Sequence, residues 1–516
     1  MQTSYWLTRF WFQRSLGTIY LLGFLIAANQ FRALCGADGI LPVRLFLKRV
    51  NFWDAPSLFW LNSSDTAFLV AAIAGVVLSV LALSGLSDAF DGVFGYVFSA
   101  FVWISLWMLY LSFVNVGQTF YGFGWETLLL EVGFLAIFLG PAAAAPPVIV
   151  IWLLRWVLFR MMFGAGMIKI RGDECWRDLT CMNYHWETQP SPNPLSWYFH
   201  QMPEWANKFA VLFNHFVELV VPFFFFGPRL LRQGAGLLTI AFQGILILSG
   251  NLSWLNYITI VIAISCFDDS FLPAVPAFME SFYKILGGNL GVTESFGAAG
   301  NAAALSAVVS GGSGFFLWIS GGMPSLLIYG LTALIFVLSI QPTMNLFSRA
   351  QVMNSSFDPL HLVNTYGAFG SITRVRNEVV IEGTDDAVIT PNTEWKEYLF
   401  KGKPSEVDRM PPLISPYHLR LDWQMWFAAM SPYWQHPWIL NFIAKLLEGN
   451  SQVAGLLRVN PFPDHPPRYI RATLYEYHFG KTTWWQRKRV ASYLPPLSLN
   501  DPEFRDVLKS QEWLTE

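Results

Sequence analysis

The chain has 516 residues, of which 54% are hydrophobic, 17% are aromatic and only 13% are charged. The core of an ordinary water-soluble protein cannot hide so much apolar surface, which predicts a membrane protein. The net charge of −2 is too balanced to favour a nucleic-acid partner. Residues 1–344 hold 15 Lys/Arg and 17 Asp/Glu, whereas residues 345–516 hold 18 of each, which predicts a boundary between membrane and water-exposed parts near Met344.

Nine apolar runs are candidate transmembrane helices, because crossing the hydrocarbon takes about 20 apolar residues. In chain order they are 15–31, 66–86, 93–114, 126–140, 145–163, 209–227, 234–250, 252–267 and 324–340. The first run lacks a clear signal-peptide cleavage site and is interpreted as the first membrane anchor. The small-residue segment 297–315 fits a tenth span, a re-entrant piece or a flexible connector equally well.

After Met344 the pattern changes to that of a folded water-exposed domain. Segments 371–384 and 466–479 have the alternation and the β-branched or aromatic content of strands. Segments 422–430 and 436–449 are predicted helices, the second ending at Gly449. The predicted fold class is therefore a polytopic α-helical membrane bundle of about nine spans, residues 1–344, followed by a C-terminal α+β soluble domain, residues 345–516.

An odd number of spans places the polar loops 32–65 and 164–208 on the same side of the membrane as the C-terminal domain. These two loops carry more Lys and Arg than the loops of the opposite side. The positive-inside bias would therefore place them in the cytoplasm.

Charged residues inside apolar runs are costly in lipid and should face the bundle interior or an interface. They are Glu126, Glu131, Arg155, Arg160 and Glu218. One interpretation is an internal polar pathway or site, and the other is ion pairing between helices.

The loop that follows the fifth run begins with the charged stretch "MIKIRGDECWRDL", residues 167–179, and continues into a segment rich in aromatic residues and proline. Such a segment is semi-rigid and has the composition of a recognition surface, although a loop packed on the bundle has it too. Its candidate recognition residues are Arg171, Trp176, Arg177, His185, Trp186, Glu187, Trp197, Tyr198 and His200. Cys175 and Cys181 in the same loop form either a disulfide or two free thiols.

Motifs of the easily recognised enzyme classes are missing from the sequence. The nearest match to a lipase nucleophile elbow, "GGSGF" at 311–315, fails at its last glycine. No phosphate loop, dinucleotide fingerprint or H-E-x-x-H occurs. The four cysteines lack zinc-ligand spacing, so we expect neither a metal nor a cofactor.

Several long segments resemble the lipase maturation factor family, and they follow one another in order over most of the chain. They are "GADGILPV" (36–43), "GQTFYGFGWETLLLEVGFLAIF" (117–138), residues 153–203, "VNTYGAFGSITRVRNEVVIEGT" (363–384), "PYHLRLDWQMWFAAM" (416–430) and "NPFPDHPPRYIRATLYEYHF" (460–479). The resemblance implies an integral membrane protein, of the endoplasmic reticulum if eukaryotic or of the inner membrane if bacterial. It implies that the polar loops and the C-terminal domain lie on the lumenal or periplasmic side, against the charge bias.

A second, more distant resemblance concerns Lys169. "GAGMIKIRGDECW" is similar to a segment of the membrane domain of vitamin K-dependent γ-carboxylase in which a lysine acts as the base. A lysine at a membrane boundary can lose its proton when it is desolvated, which permits that chemistry. Alternatively, Lys169 is an interfacial lysine beside Arg171 that pairs with Asp173 or Glu174.

Two hypotheses of function follow from these resemblances. The first is a non-enzymatic folding and maturation factor for secreted dimeric lipases, with residues 172–208 and the C-terminal domain as its docking face and with membrane lipid around its bundle. The alternative is a membrane-embedded enzyme that uses Lys169 as general base on a lipid or quinone-like cosubstrate. Transport through the buried carboxylates is a third and weaker hypothesis, because the sequence shows no internal repeat.

Overall fold

A computed structural model describes residues 4–272 and 325–514 of the chain. The small-residue segment 297–315 lies outside these described residues. The first described range contains only helices, turns and loops. Its α-helices are α1 Trp6–Cys35, α2 Val43–Leu47, α3 Asp65–Ser84, α4 Gly92–Val116, α5 Gly124–Ala136, α6 Val148–Arg171, α7 Glu174–Arg177, α8 Met182–Thr188, α9 Ser196–His200, α10 Glu204–His215, α11 Arg229–Ser249 and α12 Leu255–Ala263.

The second described range begins with two apolar helices and continues into a mixed α and β region. Its helices are α13 Ser325–Leu338, α14 Ile340–Phe347, α15 Arg420–Ala428, α16 Trp438–Leu447, α17 Ser451–Ala454 and α18 Pro502–Ser510. Its strands are β1 Arg376–Thr384, β2 Lys396–Glu397, β3 Tyr469–Phe479 and β4 Trp485–Leu497.

Among the described residues, seven helical stretches are long and apolar enough to cross a membrane. They are Trp6–Cys35, Asp65–Ser84, Gly92–Val116, Val148–Arg171, Glu204–Phe226, Arg229–Ser249 and Ser325–Phe347. The predicted spans 126–140 and 252–267 instead form α5 and α12, of 13 and 9 residues. At 1.5 Å per residue these reach roughly 20 and 14 Å, well short of the hydrocarbon thickness of about 30 Å. The helical membrane bundle is confirmed, and these two apolar helices pack inside it because most of their side chains are buried against protein.

The four strands form one antiparallel sheet in the order β2-β1-β3-β4. The predicted strand segments 371–384 and 466–479 contain β1 and β3, which pair with Val380 opposite Thr473. The predicted helix 436–449 contains α16, and Gly449 follows it with a φ of +72°, a left-handed conformation that suits glycine at a helix end. The C-terminal α+β character is confirmed.

The C-terminal region is seated on one end of the bundle by buried polar contacts. Near the end of α1, Gln30 donates to the His418 carbonyl at 2.7 Å and accepts from the Arg420 amide at 3.1 Å. In the loop after α1, the Ile40 carbonyl accepts from Asn441 at 2.7 Å. The loop after α6 is held by Arg376 of β1. The loops 32–65 and 164–208 therefore both contact the region after residue 345, at the same end of the bundle.

Candidate functional site

A cavity of about 830 Å³ lies between the bundle and the C-terminal region. Its walls include residues of α6, α8, α10, α11, α12 and α15 and of the connector 353–373. Most of the lining is apolar or aromatic, including Met161, Trp186, Phe242 and Trp423. Volumes of roughly 300–1,000 Å³ are usual for small-molecule pockets, so this cavity is large enough to hold a ligand.

Lys169 lies in the wall of this cavity, near the end of α6, with only 4% of its surface exposed. Its Nζ forms an ion pair with Glu218 at 2.5 Å and donates to the Asn214 side chain at 3.3 Å. The ammonium also lies 5.3 Å from the ring centroid of Trp176, a cation–π distance. The Lys169 charge is thus neutralised inside the protein.

Glu218 reaches Lys169 because the helix that carries it changes geometry. The α10 helix ends at His215, and residues Phe216–Val220 form a π-helical turn. Such turns are frequent at functional sites, since they shift side chains relative to a regular helix. Asn214, one turn earlier, donates to the second Glu218 oxygen at 2.9 Å and fixes the carboxylate.

The predicted pairing of Lys169 with Asp173 or Glu174 is wrong. Asp173 lies beyond the end of α6 and pairs with Arg374 at 2.6 Å. Hydrogen bonds from Arg374 lower the pKa of the Asp173 carboxyl below its usual range. The local reason is the tight turn at Gly172, where an added Cβ would meet the Gly370 carbonyl oxygen at 2.2 Å. The close approach brings the connector 353–373 against the end of α6 and directs Asp173 away from Lys169.

Each of the five charged residues predicted inside the apolar runs is buried and bonded. Glu218 is bonded to Lys169, as described above. Glu131 of α5 pairs with Arg160 of α6. Glu126 pairs with Arg420 of α15 at 2.7 Å, and Arg155 donates to the Ser265 carbonyl at 2.8 Å. The Glu131–Arg160 pair is the helix-to-helix pairing that one interpretation expected, whereas the partner of Glu126 comes from the C-terminal region.

The Glu131–Arg160 pair also anchors the connector that follows the last apolar helix. Glu131 accepts from the Asn364 amide at 3.0 Å and from the Tyr366 hydroxyl at 2.6 Å. Arg160 donates to the Asn364 carbonyl at 2.6 Å. Sequence reasoning missed Asn364, Tyr366 and Arg420, although Arg420 carried a signal: it is a charge inside the aromatic segment "YHLRLDWQMWF".

The candidate client-binding residues of the loop divide into an inward and an outward set. Trp176, His185, Trp186 and Glu187 are buried, and the first three line the cavity. Tyr198 and Arg177 are exposed, whereas Arg171, Trp197 and His200 are half-buried. The role of these residues in client binding stays a prediction, and direct contact fits the exposed ones best.

Covalent and polar bonds hold this loop in place. Cys175 and Cys181 form a disulfide in the structure. The indole of Trp176 donates to the Phe369 carbonyl at 2.8 Å, and that of Trp197 to the Gly480 carbonyl at 2.9 Å. The loop is therefore tied both to the connector and to the turn between β3 and β4.

A histidine on β3 strengthens the contact between this loop and the sheet. His478 is bonded to Glu187 at 2.9 Å and to Glu476 at 2.7 Å. Partial burial works against the charged imidazole, but the hydrogen bonds to Glu476 and Glu187 outweigh it and raise the pKa of His478. The contact is thus strengthened when His478 is protonated.

Within residues 4–272 and 325–514, no group of three or more His, Cys, Asp or Glu side chains is placed to hold a metal ion.

Comparison with known proteins gives a consistent result over the whole chain. The family model "Lipase maturation factor transmembrane domain" matches residues 7–274, and "Lipase maturation factor C-terminal domain" matches residues 362–495. Lipase maturation factor 1 of Mus musculus is 43% identical over 99% of this chain and 90% of its own length. Lipase maturation factor 1 of Homo sapiens is 41% identical over 98% of this chain and 90% of its own length. Lipase maturation factor 2 of Xenopus laevis is 33% identical over 98% of this chain and 84% of its own length.

No solved structure matches the chain. The two family models occur in the expected order, and Lipase maturation factor 1 of Mus musculus is more than 40% identical over nearly the full length of the chain. The protein is an integral membrane protein that belongs to the lipase maturation factor family.

Proposed function

We propose that this protein assists the folding and assembly of secreted, dimeric lipases from the membrane of the compartment in which they fold. The observation that carries the proposal is the similarity to proteins named lipase maturation factor along nearly the whole chain. In a eukaryotic cell the compartment would be the endoplasmic reticulum, and in a bacterium the inner membrane and periplasm.

The docking face in this proposal is the end of the bundle that carries the C-terminal region. Large aromatic side chains are exposed there: Trp53 in the loop after α2, Tyr198 in the loop after α6, and Trp434 before α16. Exposed aromatic residues are frequent anchors of protein–protein contacts. These residues are therefore the proposed contacts with an immature lipase.

The side of the membrane on which this end lies can be tested by glycosylation. Asn392 and Glu394 are exposed in the segment between β1 and β2, and Glu394→Thr completes an Asn-x-Thr acceptor at Asn392. We expect this variant, expressed in eukaryotic cells, to gain one endoglycosidase-sensitive glycan, because the proposal places the C-terminal region in the lumen. The added Asn392→Gln change should remove the shift on a gel. An unglycosylated Glu394→Thr protein, beside a glycosylated reference protein in the same cells, would contradict the proposed side.

The maturation role is tested by the specific activity of a co-expressed dimeric lipase, per unit of secreted lipase, in cells that lack this protein. We expect the wild-type chain to restore activity and the double variant Tyr198→Ala/Trp434→Ala to restore several-fold less, because loss of anchor residues costs about 1–2 kcal/mol each in binding. Phe336→Ala is the matched control, since Phe336 is equally exposed but lies on the apolar helix α13. No rescue by the wild-type chain would contradict the proposal.

Catalysis with Lys169 as a general base is the second candidate function. The observation in its favour is that Lys169 lies in the wall of a ligand-sized cavity. A single Lys169→Ala change is a poor test, because it leaves the buried Glu218 carboxylate without its partner. The double variant Lys169→Met/Glu218→Gln removes both charges together. Full rescue of lipase activity by this variant would exclude a base at Lys169, and its complete loss in a folded protein would favour the enzyme.

A further inference from the structure

The cavity contains polar groups that the surrounding protein does not satisfy. Asn256, on α12, is 2% exposed and lines the cavity, yet its side chain has no hydrogen-bond partner among the described residues. His185, on α8, is 6% exposed, and its ring nitrogens likewise have no such partner within residues 4–272 and 325–514. Since neither side chain is bonded to the described protein, both are available to hydrogen-bond a polar group that enters the cavity.

The electrostatics of the cavity favour an uncharged ligand. The two formal charges in its walls, on Lys169 and Glu218, neutralise each other in the ion pair described above. Burial, together with the nearby charge of Lys169, lowers the pKa of His185 to about 4, so its imidazole is neutral at physiological pH. A charged head group would lose its hydration without gaining a counter-ion, whereas hydroxyl and ester oxygens match an amide and a neutral imidazole.

The position of the cavity mouth indicates that the ligand comes from the membrane. Trp205 and Phe209 line the cavity and are 73% and 63% exposed. Ile245, on α11, is also both exposed and part of the lining. All three belong to stretches long and apolar enough to span a membrane, so the opening between α10 and α11 faces lipid.

We propose that this cavity binds an uncharged acyl lipid of the monoacylglycerol or diacylglycerol class. Its glycerol and ester oxygens would bond to Asn256 and His185, and its acyl chain would lie along the methionine and aromatic walls between α6 and α11. The inference is independent of the lipase role, because it rests on the cavity and its unsatisfied groups alone.

The full chain, purified in detergent, is the material for the test, and the probe is a photoreactive monoacylglycerol with its diazirine in the acyl chain. We expect saturable labelling of peptides that line the cavity. Asn256→Leu should weaken labelling about tenfold, the effect of one lost hydrogen bond of about 1.4 kcal/mol. Since Asn256 makes no side-chain bond to the described protein, this nearly isosteric change removes no such contact and should leave the melting temperature unchanged or higher.

A second variant tests the same proposal by filling the cavity. Ala210→Trp fills part of the cavity from α10 and should abolish the labelling, whereas Leu237→Trp, on an exposed position of α11 outside the lining, should not change it. Unlabelled monoacylglycerol should compete with the probe better than phosphatidylcholine or a free fatty acid. The proposal is overturned if both cavity variants label like the wild type. It is also overturned if labels spread over lipid-facing residues only, or if phosphatidylcholine or the free fatty acid competes better than monoacylglycerol.

Discussion

Replacing Glu126 by leucine is expected to destabilise the protein by roughly 3–5 kcal/mol, because it leaves the Arg420 guanidinium buried without a counter-charge. The other contacts of the Arg420 guanidinium are the Phe120 carbonyl at 2.7 Å and the rings of Tyr121 and Trp254, whose centroids lie 3.5 and 5.8 Å away. None of them carries a negative charge. The measurement is the temperature at which heated, detergent-purified protein loses its monodisperse gel-filtration peak.

Two further variants show whether the ion pair is the cause. Glu126→Leu/Arg420→Met removes both charges and should recover most of the lost stability, since buried ion pairs are often replaceable by apolar side chains. Lys48→Ala breaks the exposed pair with Glu512 and should leave the peak temperature unchanged. If the double variant is no more stable than Glu126→Leu alone, the loss comes from packing and the electrostatic explanation fails.

Replacing Arg376 by methionine is expected to release the loop after α6 from the sheet, at a cost of roughly 3–5 kcal/mol, because three carbonyls lose a charged donor. Arg376 is buried at the start of β1 and donates to the carbonyls of Glu187, Gln189 and Pro190, as well as to the Glu378 carboxylate. Removing it leaves three carbonyls without this donor. Hydrogen exchange of residues 182–190 should rise, and restoration of lipase activity should fall with it.

Arg374 provides the matched control, because it lies two residues earlier and pairs with Asp173 from an exposed position. Arg374→Met should cost less than about 1 kcal/mol and raise exchange at 182–190 much less than Arg376→Met does, since its contact with this segment is the exposed cation–π contact with Tyr184, 4.9 Å from the ring centroid. Arg376→Lys keeps the charge but not the planar fork of donors, so we expect it to resemble Arg376→Met more than the wild type. Unchanged exchange in Arg376→Met would show that other contacts are sufficient to hold the loop.

The parts of the fold that could be predicted are those with a local signal. Gly449 marks the end of α16, and the alternating residues around Val380 and Thr473 mark β1 and β3. Strand β4 was missed, since "WQRKRVASYLPPL" contains two prolines and little alternation. The short helices α5 and α12 are as apolar as true spans, so hydropathy alone could not show that they are surrounded by protein.

The candidate site was harder to predict, because its polar groups find partners far along the chain. The sequence alone shows that the charges at Glu126, Glu131, Arg160 and Glu218 are costly in lipid. Their pairing depends on where α6 meets the π turn after α10, and on where α15 meets α5. Sequence spacing carries no information about such contacts. The cavity itself arises from the same long-range packing and has no counterpart in any short motif.

Gln30 is bonded to His418 and Arg420, which follow it by 388 and 390 residues, and this separation has a consequence for biosynthesis. At translation rates of roughly 5–20 residues per second, α1 waits on the order of 20–80 s for these partners to emerge from the ribosome. Throughout that time Glu126 lies in a growing bundle without Arg420. The membrane part can reach its final packing only when about four-fifths of the chain, up to Arg420, has been made, so a chain terminated before Arg420 would keep Glu126 in the bundle without its counter-charge.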